Sequence, residues 1–291
     1  MDVLHTLDIA DWSQQPTTEE QHRAASALEN GTVLYFPRLA FILNNEERVL
    51  LTPAVSNGNA KNVSLKPEGE LRGTSCKGEP ARLLKGMIER FAERAARLVA
   101  ALVPPYRAHL VRASTSYRPV EIAGRSASAV YDDTRLHVDA FPSRPMRGRR
   151  ILRVFSNVNP AGAPRVWRLG EDFESMARRL LPTAREGSRA WAGIAAALGI
   201  TKGVRSPYDD LMLSLHDGAK RDENYQRFAP RTEFRFPAGS TWMCFTDQVM
   251  HAALAGQYVL EQTFHLDVAA MVSPERSPLR VLERLQDRPL V

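Results

Sequence analysis

The sequence predicts an α+β fold: an antiparallel double-stranded barrel with helices packed outside it. Three observations predict it. A helical N-terminal part precedes a long extended region, a second helical stretch interrupts that region, and strand-like segments separated by turn residues follow to near the C-terminus. No internal repeat and no low-complexity linker divides the chain. One domain over residues 1–291 is therefore expected, with a helical N-terminal part and an insertion at about 170–220.

Each element has its own signal. Residues 1–31 are a mixed lead-in within which Thr17–Asn30 can be helical. Thr32-Val33-Leu34-Tyr35-Phe36 reads as a buried strand ended by Pro37, and the polar, Gly-rich residues 45–80 read mainly as loops. Leu84, Met87, Ile88, Phe91, Ala95, Leu98, Val99 and Leu102 recur at three- and four-residue steps, the pattern of an amphipathic helix, and Pro104-Pro105 stops it. Its other face, with Arg82, Lys85, Arg90, Arg94 and Arg97, reads as a solvated surface. From His109 to Val158 the chain is mostly extended, with Leu110–Thr115 and Ile151–Val158 the best strands. Residues 171–200 read as helical around Phe173, Met176 and Leu180, then Trp191, Ile194 and Leu198. Ser206-Pro207 opens another helix: a serine cap, proline at the first helical position, then Asp209 and Asp210 in the first turn. Thr232–Phe236, Ser240–Phe245 and Tyr258–Leu266 return to strand, with turns at Pro237-Ala238-Gly239 and Ala255-Gly256-Gln257.

Composition narrows the function classes. Hydrophobic residues make up 44% and charged residues 25%, as in soluble globular proteins. No apolar run approaches the roughly 18–20 residues that span a bilayer, and the N-terminus lacks the basic-then-apolar start of a secretory signal. Cys76 and Cys244 read as free thiols in a reducing compartment, so a cytoplasmic location is expected. The net charge of +6 suits an anionic partner, but no zinc-finger spacing, RNA-binding signature or P-loop argues for nucleic acid or nucleotide.

The chemistry rests on His137-Val138-Asp139 and on His251, 114 positions later. Two histidines and one carboxylate form a facial triad for non-haem Fe(II), leaving coordination positions open for a co-substrate and O₂. Alternation along a strand puts His137 and Asp139 on one face, and His251 would come from a facing strand or its end. A 2-oxo acid chelating such an iron needs a cation for its distal carboxylate. Arg153 is the first choice, because a guanidinium binds carboxylate bidentately and lies here on the strand after the motif. If the partner came instead from after His251, Gln262, Thr263 or His265 would have to serve. His265 is also an alternative ligand for a three-histidine site of zinc or cupin type. His216 reads as structural or substrate-facing, and Asp132-Asp133 as loop charges or orienters of a ligating histidine. Arg118, Arg125, Arg135, Arg144 and Arg147 surround the motif densely enough to suggest a substrate carrying carboxylates or phosphates.

The stretch Asp132-Asp133-Thr134-Arg135-Leu136-His137-Val138-Asp139-Ala140-Phe141-Pro142 resembles the 3-deoxy-D-manno-oct-2-ulosonic acid (Kdo) hydroxylases. So do Arg150 through Pro160, Ser206-Pro207-Tyr208-Asp209, Ser240-Thr241-Trp242 and Thr246 through His251. The resemblance covers roughly residues 30–270. It implies a double-stranded β-helix (jelly-roll) core and iron held by His137, Asp139 and His251. It implies Fe(II), 2-oxoglutarate and O₂ as cofactor and co-substrates, with ascorbate as auxiliary reductant. The implied reaction is hydroxylation of the Kdo of Kdo-lipid A at carbon 3, giving D-glycero-D-talo-oct-2-ulosonic acid (Ko). Such a substrate lies in the cytoplasmic leaflet of the inner membrane, so peripheral contact with that surface is expected, and the positive charge agrees. One departure stands out: no arginine lies ten to fifteen positions after His251, where oxygenases of this kind commonly hold 2-oxoglutarate.

Overall fold

In the computed structural model, which describes residues 3–58, 60–125, 127–184 and 203–291, the described strands form two sheets. The larger contains β1 (Leu4–Thr6), β2 (Val33–Phe36), β3 (Val63–Leu65), β4 (Leu71–Arg72), β5 (Val111–Arg118), β6 (Arg150–Asn157), β9 (Thr241–Phe245) and β11 (Val259–Leu266). Their order is β1-β2-β9-β6-β11-β5-β3-β4. The smaller sheet, ordered β10-β7-β8, contains β7 (Arg165–Gly170), β8 (Arg231–Phe236) and β10 (His251–Ala255). Every pairing is antiparallel except β1 with β2. This is the jelly-roll arrangement of the double-stranded β-helix.

Alternation along the strands builds two cores. Leu152, Val154, Met243, Phe245, Leu260, Phe264 and Leu266 point to the outer face of the large sheet. There they join Leu84, Met87, Ile88 and Phe91 of helix α2 (Gly78–Leu102). Each of these side chains contributes about 1.5–3 kcal/mol by leaving water. The intervening residues Phe155, Trp242 and Cys244 face inward and meet Trp167, Leu169, Phe236 and Ala253 of the small sheet. Trp242 lies nearly parallel between Phe155 and Phe236, with ring centroids 5.3 and 4.1 Å away, while Trp167 meets it edge-on. This aromatic cluster packs between the sheets, and its Phe155 and Trp167 also border the polar cavity that holds His137, Asp139 and His251.

Helix α1 (Thr18–Glu29) begins with a capping box in which the Thr17 hydroxyl accepts from the Glu20 backbone and Glu20 accepts from that of Thr17. Its last residue, Glu29, is buried and accepts from Tyr106 Oη at 2.5 Å and from the backbone N–H groups of Val272 and Ser273 at 2.8 and 2.6 Å. It thereby ties the C-terminal segment, which ends in α6 (Pro278–Gln286), to the N-terminal helices. Between β7 and β8 run α3 (Phe173–Leu180), α4 (Pro207–Arg221) and α5 (Glu223–Phe228). Ser206 and Asp209 cap α4 as the sequence predicts, and Asp209 Oδ1 also accepts from the Met146 and Arg147 N–H groups. The helix expected around Trp191, Ile194 and Leu198 lies outside the described residues. No helix among them is long and apolar enough to cross a membrane.

Five strands were not anticipated: the short β1, β3 and β4, which lie in segments read as lead-in and loop, and β7 and β10 of the small sheet. β7 reads Arg-Val-Trp-Arg-Leu-Gly, and its two arginines and glycine hide the alternation. β10 reads His-Ala-Ala-Leu-Ala, with weak strand propensity, and forms because β7 offers it a paired edge.

Candidate metal centre

The loop from β9 into β10 is fixed from beneath by a buried ion pair. Arg150 Nε donates to Asp247 Oδ2 at 2.7 Å, Arg150 Nη2 donates to Gln248 Oε1 at 2.6 Å, and the guanidinium carbon sits 3.8 Å from the Phe245 ring centroid. Arg150 is fully buried. Removing one partner strands the other charge, so Asp247→Ala is expected to lower stability by about 3–5 kcal/mol in urea unfolding. A loss below about 1 kcal/mol would contradict this reading of the pair.

That loop delivers His251 to His137. The two residues pair across the gap, His137 N–H donating to His251 C=O at 3.0 Å and His251 N–H to His137 C=O at 2.9 Å. Asp139 N–H donates to Thr246 C=O at 2.7 Å. The segment carrying His-Val-Asp makes only an isolated bridge, yet the two-residue alternation expected of a strand holds. Val138 enters the apolar core, while His137 Nε2 and Asp139 Oδ1 approach to 3.9 Å. His137, Asp139 and His251 each offer one ligand atom, and these atoms all lie within 4.8 Å of one another.

The ring orientations are set by carbonyls. His137 Nδ1 donates to Arg135 C=O at 2.7 Å and His251 Nδ1 to Val249 C=O at 2.8 Å. A carbonyl can only accept, so the proton sits on Nδ1 and the Nε2 lone pair is free. His251 stacks on Trp167 at 5.1 Å, and His216 of α4 meets the His137 ring edge-on at 5.3 Å. Burial lowers the proton affinity of both histidines, and for His137 the neighbouring His251 adds to it, so both are neutral near pH 7. For Asp139, burial favours the protonated form, but the Arg153 guanidinium beside it outweighs this and holds the carboxyl below its usual range. Asp139 Oδ2 lies 3.0 Å from Arg153 Nη2 yet makes no well-aligned hydrogen bond. Two neutral nitrogen donors and one carboxylate with unused acceptor capacity fit a divalent iron.

Two arginines behave differently beside this cluster. Arg153 pairs with Asp139 and, through Nη1 at 3.3 Å, with Glu261 of β11. Glu261 is itself buried and held by Arg118 at 2.6 and 2.9 Å. Arg165, at the start of β7, is 3% exposed, donates from Nη1 to Gly256 C=O at 2.7 Å, and leaves Nε unbonded. Among the described residues no carboxylate lies within ion-pairing distance of it. Burial, reinforced by the Arg118 charge, lowers its pKa to about 9. Arg165, Trp167, Arg153, Glu261 and the triad line one small cavity of ≈ 70 Å³. A second cavity of ≈ 630 Å³ shares Arg118, Arg153 and Glu261 with it and extends past Thr263, His265 and Arg144.

The other residues anticipated from sequence are placed as follows. Gln262 faces away from both cavities, because neighbours on a strand alternate, and it is taken up by Thr115 Oγ1 at 2.5 Å. Thr263 lines the larger cavity rather than the metal cavity. Arg118 and Arg144 line the larger cavity. Arg125, Arg135 and Arg147 do not reach either. Arg125 donates to the Glu121 and Val120 carbonyls, Arg135 to Lys220 C=O and Glu223, and Arg147 to Val204 C=O. Asp133 pairs with Lys61 at 2.8 Å and lines the metal cavity, and Asp132 accepts from Thr134. Arg165 and Glu261 were not anticipated at all. Arg165 could have been found from Arg165-Val166-Trp167 had β7 been recognised. Glu261 carried only the signal of a carboxylate inside an apolar strand.

A two-histidine, one-carboxylate cluster between the sheets of a double-stranded β-helix is the arrangement of the non-haem iron oxygenases. A family model described as 3-deoxy-D-manno-oct-2-ulosonic acid (Kdo) hydroxylase matches residues 11–289. The chain belongs to the Kdo hydroxylase family. Among solved structures it is similar to the Kdo hydroxylase KdoO, described as a non-heme Fe(II) α-ketoglutarate-dependent dioxygenase. The cobalt(II) complex of KdoO is 49% identical, with TM-score 0.97 and coverage of 100% of this chain and 98% of that one. The complex with α-ketoglutarate and Fe(III) is 48% identical, with TM-score 0.95 and coverage of 99% and 97%. A complex of KdoO with succinate and Fe(III) is 48% identical, with TM-score 0.96 and coverage of 100% and 98%. A search of curated proteins gave no match.

Proposed function

We propose that this chain is an Fe(II)/2-oxoglutarate-dependent hydroxylase that converts the Kdo of Kdo-lipid A to Ko by hydroxylation at carbon 3. The observation that carries it is the 48–49% identity to KdoO across essentially the whole of both chains, including complexes with α-ketoglutarate and with succinate. His137, Asp139 and His251 would hold the iron, and 2-oxoglutarate and O₂ would complete the reaction, with ascorbate as reductant. When bound, the iron and 2-oxo acid supply the oxidising power that inserts oxygen into an unactivated C–H bond, with succinate as by-product.

The protein's own part is positional. The Arg135 and Val249 carbonyls fix the histidine tautomers. The chain Arg118–Glu261–Arg153–Asp139 keeps the Asp139 carboxylate ionised and aimed. Arg153, the first choice for the distal carboxylate of 2-oxoglutarate, already has two carboxylate partners. Arg165 has none and is the better anchor, since a planar fork takes a carboxylate bidentately. Trp167 and Phe155 keep water from the space beside it. We place the protein in the cytoplasm, in peripheral contact with the inner membrane where the anionic glycolipid lies, acting as a single catalytic domain.

The test is incubation with Fe(II), ascorbate, 2-oxoglutarate and Kdo-lipid A in detergent, followed by mass spectrometry of the lipid. One added oxygen on the Kdo portion with stoichiometric succinate is expected. Succinate without lipid modification would remove the substrate from the proposal, and neither signal from iron-loaded protein would remove the reaction. Lipid presentation matters too. Turnover is expected to depend on detergent or vesicles and to fall as salt rises, because surface attraction is screened. Full activity on a delipidated protein or metabolite extract would contradict this.

A further inference from the structure

We infer that the ≈ 630 Å³ cavity beside the metal centre is a subsite for an acidic saccharide, where Arg144 pairs the acid group and His265 reads a ring hydroxyl. The inference rests on the proposed function and deepens it. Three observations carry it. The metal cavity, at ≈ 70 Å³, is far smaller than the ≈ 630 Å³ one and is the space assigned above to the metal and 2-oxoglutarate, so the sugar has to sit outside it. The larger cavity opens from the same wall, through Arg118, Arg153 and Glu261, so a sugar seated there borders the iron ligands.

The second observation is His265. It is 5% exposed, lines this cavity, and neither ring nitrogen makes a well-aligned hydrogen bond, the Arg150 backbone contributing only weakly. Burial first, then the charges of Arg149, Arg144 and Arg153, lower its pKa to about 4, so at neutral pH it is one donor and one acceptor. A buried imidazole with both nitrogens unsatisfied costs stability unless a ligand completes it, and a vicinal pair of sugar hydroxyls matches that donor–acceptor pattern. Third, the cations of the wall are unequal. Arg118 pairs with Glu261, Arg153 with Asp139 and Glu261, and Arg72 with Glu70 at 2.8 Å, while Lys66 Nζ donates to Ser114 Oγ at 3.3 Å. Arg144 has no carboxylate within ion-pairing distance among the described residues, which leaves it to meet an incoming acid group.

The acid group has two sources, the sugar carboxylate and the lipid A phosphates, and the test separates them. Binding to micellar Kdo-lipid A is measured by fluorescence anisotropy without 2-oxoglutarate, and steady-state kinetics are run with intact and with dephosphorylated Kdo-lipid A. Arg144→Gln and His265→Phe should each raise Kd and KM about tenfold, with kcat at saturation changed less than about threefold. His265→Gln, which keeps a donor and an acceptor, should recover most of the loss. Arg144→Gln acting on both lipids supports the carboxylate as its partner, and acting only on the intact lipid supports the phosphate. Wild-type Kd and KM in folded Arg144→Gln and His265→Phe would overturn the subsite while leaving the hydroxylase standing. An equal loss in Arg235→Gln, a charge removed from the exposed face of β8, would also overturn it, as general attraction. A wild-type protein that neither binds nor modifies Kdo-lipid A would sink both readings.

Discussion

His137→Ala and Asp139→Ala should each eliminate coupled succinate formation, by more than about a hundredfold, while leaving the protein folded. The scale follows from the cluster: even losing a group that merely orients a metal ligand costs about 10–100-fold, and these two would be ligands. Folding should survive because neither side chain is a keystone of the apolar core. His137 packs against His216 and His251, and the backbone pairing that joins it to His251 does not depend on its ring. Removing Asp139 leaves Arg153 paired with Glu261, so no buried charge is stranded. The expected readings are a melting temperature within a few degrees of wild type and loss of bound iron in anaerobic metal analysis. Asp139→Asn is the finer variant, since it keeps shape and removes charge. Full turnover by any of the three in iron-replete assays would end the assignment of the triad.

What the sequence disclosed about this site follows a physical division. That His137, Asp139 and His251 would come together was legible because a facial triad needs those donor types, and two of them sit at strand spacing. Helices α2 and α3 were legible from periodicity and α4 from the Ser206-Pro207 cap, whose signals are local, while α5 and α6 were not read from the sequence. The partner of each arginine was not legible. Arg118, Arg144 and Arg153 reach the cavities while Arg125, Arg135 and Arg147 brace backbone carbonyls, and nothing in a run of basic residues distinguishes a guanidinium that faces a cavity from one that caps a loop. Gln262 failed for a simpler reason: Glu261 and Thr263 own the inner face of β11, so their neighbour must point outward. Arg165 was missed because β7 was missed, and β7 was missed because its buried arginine breaks the apolar pattern by which strands are read. The residue that hid the strand is the one with the strongest reason to be there.

Arg165→Met is the variant expected to say most about that reason. The guanidinium sits in a nearly dry cavity with one carbonyl acceptor and no carboxylate partner among the described residues. Such a charge weakens the resting fold, and a methionine of similar length fills the space without the desolvation cost. Stability of the variant should therefore equal or exceed that of wild type, as when buried charges elsewhere are exchanged for apolar residues at a gain of about 1–4 kcal/mol. Binding should move the opposite way. If Arg165 holds the distal carboxylate of 2-oxoglutarate, losing a bidentate charged pair at about 1.5–3 kcal/mol should raise the KM for 2-oxoglutarate roughly 10- to 150-fold. It should also abolish the rise in melting temperature that saturating 2-oxoglutarate gives the wild type. Arg153→Met is the matched comparison. It takes the guanidinium partner from Asp139 while Glu261 keeps Arg118, so it should cost stability and iron affinity first and 2-oxoglutarate affinity only in consequence. An unchanged KM for 2-oxoglutarate in Arg165→Met, with a lost thermal shift in Arg153→Met, would transfer the anchor to Arg153. The reverse pattern would mean that a strand position upstream of His251 does the work that oxygenases of this kind commonly assign to an arginine downstream of it.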